Sequence, residues 1–210
     1  KKPKSQKGAV EGKLVCASYN ADRLTKSQWA DLCVELEARG VVACAIQDHK
    51  LKSVAGWNQE TYKMWFDPCH EGPNGGDAGG VGWAIRKGME HCASVAHLPG
   101  AGPFVKWVTL SAQGAGGKST MDLASVYVPP GPALGRSHED IRDEVLGAMA
   151  STAGHRAAVM GDINCDLREG TAGAVAWGLA MNASGYVAID TIGQWAGMAT
   201  RVPRGARMGA

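Results

Sequence analysis

Apolar positions along the chain alternate between short continuous runs and one-sided helical patterns. Residues 14–20 form a first run of strand length. Within 27–39, Trp29, Leu32, Cys33 and Leu36 recur at helical spacing, with Ser27 placed to cap the helix and Gly40 to stop it. Residues 41–47 are continuously apolar, the pattern of a strand buried on both faces. Residues 57–66 are aromatic and fit either element, and 70–80, with Gly72-Pro73-Asn74-Gly75-Gly76 at its centre, reads as a loop. Three further strands are predicted over 81–86, 105–111 and 121–128, with glycine-rich turns at 87–103 and 112–117. A second helix is predicted over 137–149, opened by Ser137 with Glu139 and Asp140 in its first turn. A short strand at 157–160 runs into Gly161-Asp162, and a helix over 172–182 and a strand over 186–190 complete the pattern. Many short strands interleaved with helices predict an α/β sandwich, two sheets face to face with helices outside; the pattern alone leaves a doubly wound sheet equally open.

Composition narrows the class without naming a function. The chain has 210 residues, 45% hydrophobic and 20% charged, which suits one soluble globular domain. A net charge of +2 does not mark a nucleic-acid binder, although a local basic stripe remains compatible with it. Lys1, Lys2, Lys4 and Lys7 make residues 1–12 a basic arm, expected to be disordered, ahead of a domain over 13–210. The six cysteines contain no CxxC pair or zinc-ligand rhythm, so free thiols in a reducing, intracellular setting are expected. No apolar run reaches membrane-spanning length.

Three polar clusters each follow an apolar strand: Asn20-Ala21-Asp22, Gln47-Asp48-His49-Lys50 and Gly161-Asp162-Ile163-Asn164. Strand ends are where a rigid scaffold presents side chains to a common site. A hard divalent ion needs one or two carboxylates plus amide oxygens and retains several waters. Phosphodiester cleavage further needs a group to activate water and donors for the phosphate oxygens. On this reading Asp48 holds a magnesium ion, Asp162 orients the water, Asn20 and Asn164 fix ligands or phosphate, and Tyr127 offers its hydroxyl to the phosphate. Each residue alone is more often a turn or packing residue; the combination and its order carry the reading.

In that order the motifs Ser18-Tyr19-Asn20, Ala45-Ile46-Gln47-Asp48-His49-Lys50-Leu51, the run 79–87, Val126-Tyr127-Val128-Pro129-Pro130 and Val159-Met160-Gly161-Asp162-Ile163-Asn164 resemble the endonuclease/exonuclease/phosphatase superfamily. The likeness is strongest to the endonuclease domains of non-LTR retrotransposons and their abasic-site relatives, with Thr200-Arg201 similar to a late segment of the retrotransposon group. The resemblance implies a four-layer α/β sandwich and magnesium- or manganese-dependent cleavage of phosphate esters, with DNA as partner and a nuclear setting if retrotransposon-derived. It implies metal ligation by Asn20 and Asp48, catalytic roles for Tyr127, Asp162 and Asn164, and nucleic-acid contacts through Asp22, Lys50, Arg86, Lys87, Thr200 and Arg201. Asp48 stands where the family has Glu, one methylene longer. The family's late Asp and Ser-Asp-His elements have no counterpart before Ala210. The fold is therefore expected to be C-terminally incomplete, completed by a further segment or partner chain, with the isolated chain weak or inactive. A non-catalytic binding or structural module and a phosphatase of small phosphoesters are the alternatives.

Overall fold

The computed structural model describes residues 15–53, 55, 57, 59–72, 75–89, 93–95, 102–114, 117–152, 156–167, 170–184 and 186. The basic arm, Thr200, Arg201 and all but the first residue of the strand expected over 186–190 lie outside them. The chain divides into two units, Lys1–Asn164 and Cys165–Ala210.

The first unit contains two four-stranded mixed sheets. In one, β1 (Cys16–Asn20) runs parallel to β2 (Ala43–Gln47), which pairs antiparallel with β6 (Val81–Arg86), itself antiparallel to β3 (Tyr62–Phe66). In the other, β10 (Ala157–Asp162) runs parallel to β9 (Gly117–Tyr127), followed by β8 (Val105–Gly114) and β7 (Ala93–Val95), both antiparallel. A two-stranded hairpin, β4 (His70–Glu71) with β5 (Asp77–Ala78), occupies the stretch expected to be loop. The glycine-rich segment 112–117 is largely strand, because the long β8–β9 ladder continues through it to the Gly114–Gly117 pair.

Strand alternation sorts the core into layers. Ala43 and Ala45 of β2 and Trp83 and Ile85 of β6 face Val108, Leu110 and Leu123 of the other sheet, with Met121, Ala158 and Met160 beside them. The intervening residues, Cys44, Ile46, Tyr62, Met64 and Ala84, form the opposite face of the first sheet. Helix α1 (Lys26–Ala38) covers it through Trp29, Cys33 and Leu36. Every residue of β2 is buried, as its unbroken apolar run requires.

The cap of α1 is Thr25 rather than Ser27. Thr25 and Gln28 form a reciprocal capping box, which places Ser27 inside the first turn. Ser137 caps α2 (His138–Ala150) as the sequence predicts, in a second capping box with Asp140, and α2 buries Ile141, Val145, Ala148 and Met149. In the second unit, α3 (Ala172–Ala183) is capped by Thr171. No helix of the described residues is long and apolar enough to cross a membrane.

Candidate active site at one end of the sandwich

The inner layer changes from apolar to polar at one end. Continuing the alternation past Ala45, Leu123 and Met160 brings Gln47, Ser125 and Asp162 onto the inner faces, with Asn20 reached in the same way from Cys16. These side chains bridge the sheets. Asn20 Nδ2 donates to Asp162 Oδ2 at 2.5 Å across 142 positions of sequence. Beside it, the buried Gln47 Nε2 donates to Ser125 Oγ at 3.0 Å, while Ser18 Oγ donates to Gln47 Oε1 at 3.2 Å. A third bridge joins Lys106 Nζ of β8 to Asp67 Oδ1, just past β3, at 2.5 Å. The sequence pattern singles out neither Lys106 nor Asp67. The available signal is a polar residue at an inward position of an otherwise apolar strand, and it needs the strand's facing direction to be recognised.

Asp162 is oriented from two sides, since its other oxygen, Oδ1, accepts the Asn164 backbone N–H at 2.9 Å. Asn164 adopts φ +47°, which Asn tolerates better than most residues. Its side chain is spent on structure, donating from Nδ2 to the Val128 carbonyl at 2.8 Å. Tyr127 is the Cα partner of Asp162 in the parallel β10–β9 register, so the two side chains lie on the same inward face. Gly161 explains itself in this geometry: a β-carbon there would collide with the Val126 carbonyl oxygen of the neighbouring strand.

Asp48 ends β2 by turning to φ +48°. Its Oδ1 accepts the Gly79 N–H at 2.9 Å and its Oδ2 lies 3.3 Å from Lys50 Nζ, which also donates to Asp22 Oδ1 at 2.9 Å. Asn20 Oδ1 in turn accepts the Asp22 backbone N–H at 3.2 Å. A continuous polar chain thus runs from Asp162 through Asn20, Asp22 and Lys50 to Asp48. Burial pushes the Asp48 carboxyl above its ordinary pKa, with Lys50 and the Gly79 N–H opposing the rise. Burial works to lower the Lys50 pKa, but its bonds and charge interactions with Asp22 and Asp48 outweigh that and raise it.

The fold is shared with a solved catalytic domain. The catalytic domain of Xenopus laevis APE2 matches with a TM-score of 0.53 at 12% identity, over 70% of this chain and 57% of that one. An AP endonuclease from Archaeoglobus fulgidus matches at TM-score 0.49 and 16% identity, over 75% and 60% respectively. A humanized D. rerio TDP2 matches at 0.43 and 14%, over 82% and 66%. The chain therefore spans less than two thirds of the length of the first two structures. No family model and no curated protein matches the sequence.

Not every residue expected at the site is brought to it. Asn20, Asp22, Asp48, Lys50, Tyr127, Asp162 and Asn164 gather at the polar end. Arg86 and Lys87 do not. In the antiparallel β2–β6 ladder Val81 pairs with Gln47 at the polar end, and Arg86 lies five residues further along β6. At about 3.3 Å per residue that is roughly 17 Å away, toward the opposite end of the sheet. Lys50 is tied to two carboxylates rather than presented to solvent. His49, next to Asp48, is fully buried and stacks on Phe66 at 4.4 Å, while its Nδ1 accepts the Leu51 N–H at 3.0 Å. His70 packs edge-on to Phe104, and His138 Nδ1 lies 2.9 Å from the Pro129 carbonyl oxygen. None of these three imidazoles bonds to Asn20, Asp162 or Asn164.

Five of the cysteines, Cys16, Cys33, Cys44, Cys69 and Cys165, are free thiols. Burial pushes Cys16 up to about 11 and Cys33 and Cys44 up to about 12, which keeps them protonated and unreactive near neutrality.

Proposed function

We propose that this chain is a divalent-metal-dependent phosphodiesterase domain acting on DNA. The observation that carries the reading is the Asn20–Asp162 hydrogen bond. It joins the first and third strand-end clusters across the two sheets, with Tyr127 in register beside Asp162. Asp162, held by Asn20 and by the Asn164 N–H, is the base that orients and deprotonates an attacking water. Tyr127 and the Asn20 amide are donors for the phosphate oxygens, the groups that stabilise charge as it develops on phosphorus.

The donor set suits a hard cation. Asn20, Asp22, Asp48 and Asp162 offer oxygen alone, with neither thiolate nor imidazole among them. Asp48 and Asn20, on the adjoining ends of β2 and β1, would hold the ion, Asp48 through lone pairs left beside its bonds to Gly79 and Lys50. Bound there, magnesium supplies charge neutralisation on the phosphate. Among the described residues no three or more His, Cys, Asp or Glu side chains cluster as a metal site; an ion held here would draw on few protein ligands, as magnesium sites commonly do.

The described histidines make no hydrogen bond to Asn20, Asp162 or Asn164, and removing one electrostatic group of that kind typically lowers a rate by about 10²–10³, so slow turnover is expected. The test is single-turnover nicking of supercoiled plasmid with protein in excess. Slow nicking that requires magnesium, is stopped by a chelator and is lost in Asp162→Ala is the expected result. Nicking that persists in Asp162→Ala, or the absence of both magnesium-dependent nicking and DNA binding, overturns the reading. The engagement of both Asp48 oxygens favours one alternative, a binding module without catalysis. DNA binding with no nicking at any magnesium concentration would establish it.

A further inference from the structure

Most cations in the loops around the cluster are already neutralised. Lys50 is shared by Asp22 and Asp48, Lys106 is paired with Asp67, and Lys52 with Asp77 at 2.9 Å. Arg23 and Lys26 differ. Both are exposed, and neither makes an ion pair or side-chain hydrogen bond with a described residue.

The backbone at Arg23 makes its presence there costly. Its φ is +79°, a region where a β-carbon is strained and glycine is the default residue. The neighbouring chain enforces that conformation: the N–H groups of Ala21, Arg23 and Leu24 donate to the carbonyls of Gln47, Asp48 and His49 at 2.9, 2.9 and 3.0 Å. The segment is thereby stitched to the end of β2, and Arg23 has a fixed place three residues beyond Asn20. Three residues of chain reach at most about 11 Å, so its backbone lies within that distance of the residue that holds Asp162. Glycine would build this turn with less strain. The long cationic side chain is exposed here and adds no ion pair or hydrogen bond with a described residue to the fold.

We propose that Arg23, with Lys26 three residues on, grips a backbone phosphate of the DNA strand next to the phosphate held at Asn20 and Asp162. The inference rests on the phosphodiesterase reading above and names residues that position its substrate. A planar guanidinium binds phosphate in a bidentate, geometrically specific way, which a substitution by lysine reproduces only in charge. Such contacts fix the register of the strand without reading its bases.

The experiment measures binding of a fluorescent 20-base-pair DNA duplex by anisotropy over a series of salt concentrations, together with thermal melting. Arg23→Gly is expected to melt at the same temperature or higher, because it relieves the strained backbone. It should bind roughly tenfold more weakly and reduce the slope of log affinity against log salt by about one. Arg23→Gln, which keeps the strain and loses the charge, should weaken binding to the same extent with the wild-type melting temperature. Lys26→Ala should lower the slope similarly. In single-turnover nicking the Arg23 variants should need more protein to reach half the maximal rate while the maximal rate stays near wild type. If Arg23→Gly melts lower yet binds as tightly as wild type, Arg23 is a structural residue and this inference fails while the phosphodiesterase reading stands. If the wild-type chain does not bind the duplex, the reading and the inference fall together.

Discussion

The imidazole of His49 occupies the space that a β-carbon on Gly80 would need. Built onto the backbone, that carbon would stand 2.5 Å from His49 Cε1, and Gly80 also has φ +94°. Both conditions demand glycine. Gly80→Ala is therefore expected to destabilise the fold by about 2–4 kcal/mol through combined overpacking and backbone strain. Urea denaturation would register this as a lower midpoint at unchanged slope. In a His49→Ala background Gly80→Ala should cost less than in wild type, because the clash is gone and only the strain remains; an equal cost in both backgrounds would show that contact is not the cause.

The same histidine makes stability depend on pH. Burial lowers the His49 pKa from 6.5 to about 4 in the folded chain, against weaker opposition from nearby backbone carbonyls and Asp67. The unfolded chain thus binds a proton on His49 between these values that the folded chain refuses. Its contribution to stability is complete above about 6.5 and is lost as the pH falls toward 4, on the order of 3 kcal/mol in all. The lowered pKa of His70, again from burial, acts in the same direction. His49→Asn keeps an acceptor for the Leu51 N–H and cannot ionise, so its stability should decline less steeply over this range. An identical decline in wild type and variant would assign the acid sensitivity elsewhere.

The sequence pattern locates the framework well because each element carries its own signal. The unbroken apolar run ending at Gln47 and the Ser137 cap of α2 both appear in the structure where periodicity and capping chemistry put them. The hairpin β4–β5 and strand β7 are too short, at two and three residues, for any period to be counted. At the site, Asn20, Asp48 and Asp162 are visible as polar residues following apolar strands. Which of them meet is not, because that depends on strand order and register. Arg86 illustrates the difference. It follows an apolar strand just as Gln47 does, but its strand runs the opposite way, so it emerges at the other end of the sheet. The strained backbone at Arg23 is likewise invisible in one dimension, since the carbonyls that enforce it come from 25 residues away, at Asp48 and its neighbours.

The Gln47–Ser125 bridge is buried between the sheets, so its partners depend on each other. Ser125→Ala leaves the Gln47 amide without its acceptor in a dry position and should cost about 1–3 kcal/mol. Replacing both, with Gln47→Met and Ser125→Ala together, removes the unsatisfied group and should recover much of that loss. Equilibrium denaturation of the two single variants and the double variant measures the coupling, and strict additivity would contradict the bridge.

Asn20→Asp tests the site itself. In the folded chain the Asn20 amide donates to Asp162 Oδ2. A carboxylate in its place has no proton to donate near neutrality and sets two negative charges at hydrogen-bond distance. Two carboxylates so close cannot both ionise freely, so one of them takes up a proton and its pKa rises. If Asp162 is the base, the rising limb of the rate profile moves to higher pH, and nicking at neutral pH falls by about 10-fold or more. Asn20→Ala removes the donor without adding charge, so it should lower the rate without the carboxylate repulsion that Asn20→Asp introduces. Single-turnover nicking of supercoiled plasmid from pH 5 to 9, in magnesium, gives the three profiles directly. An Asn20→Asp profile that coincides with that of wild type would mean that Asp162 does not act as a base, and that its bond to Asn20 serves only to hold the two sheets together.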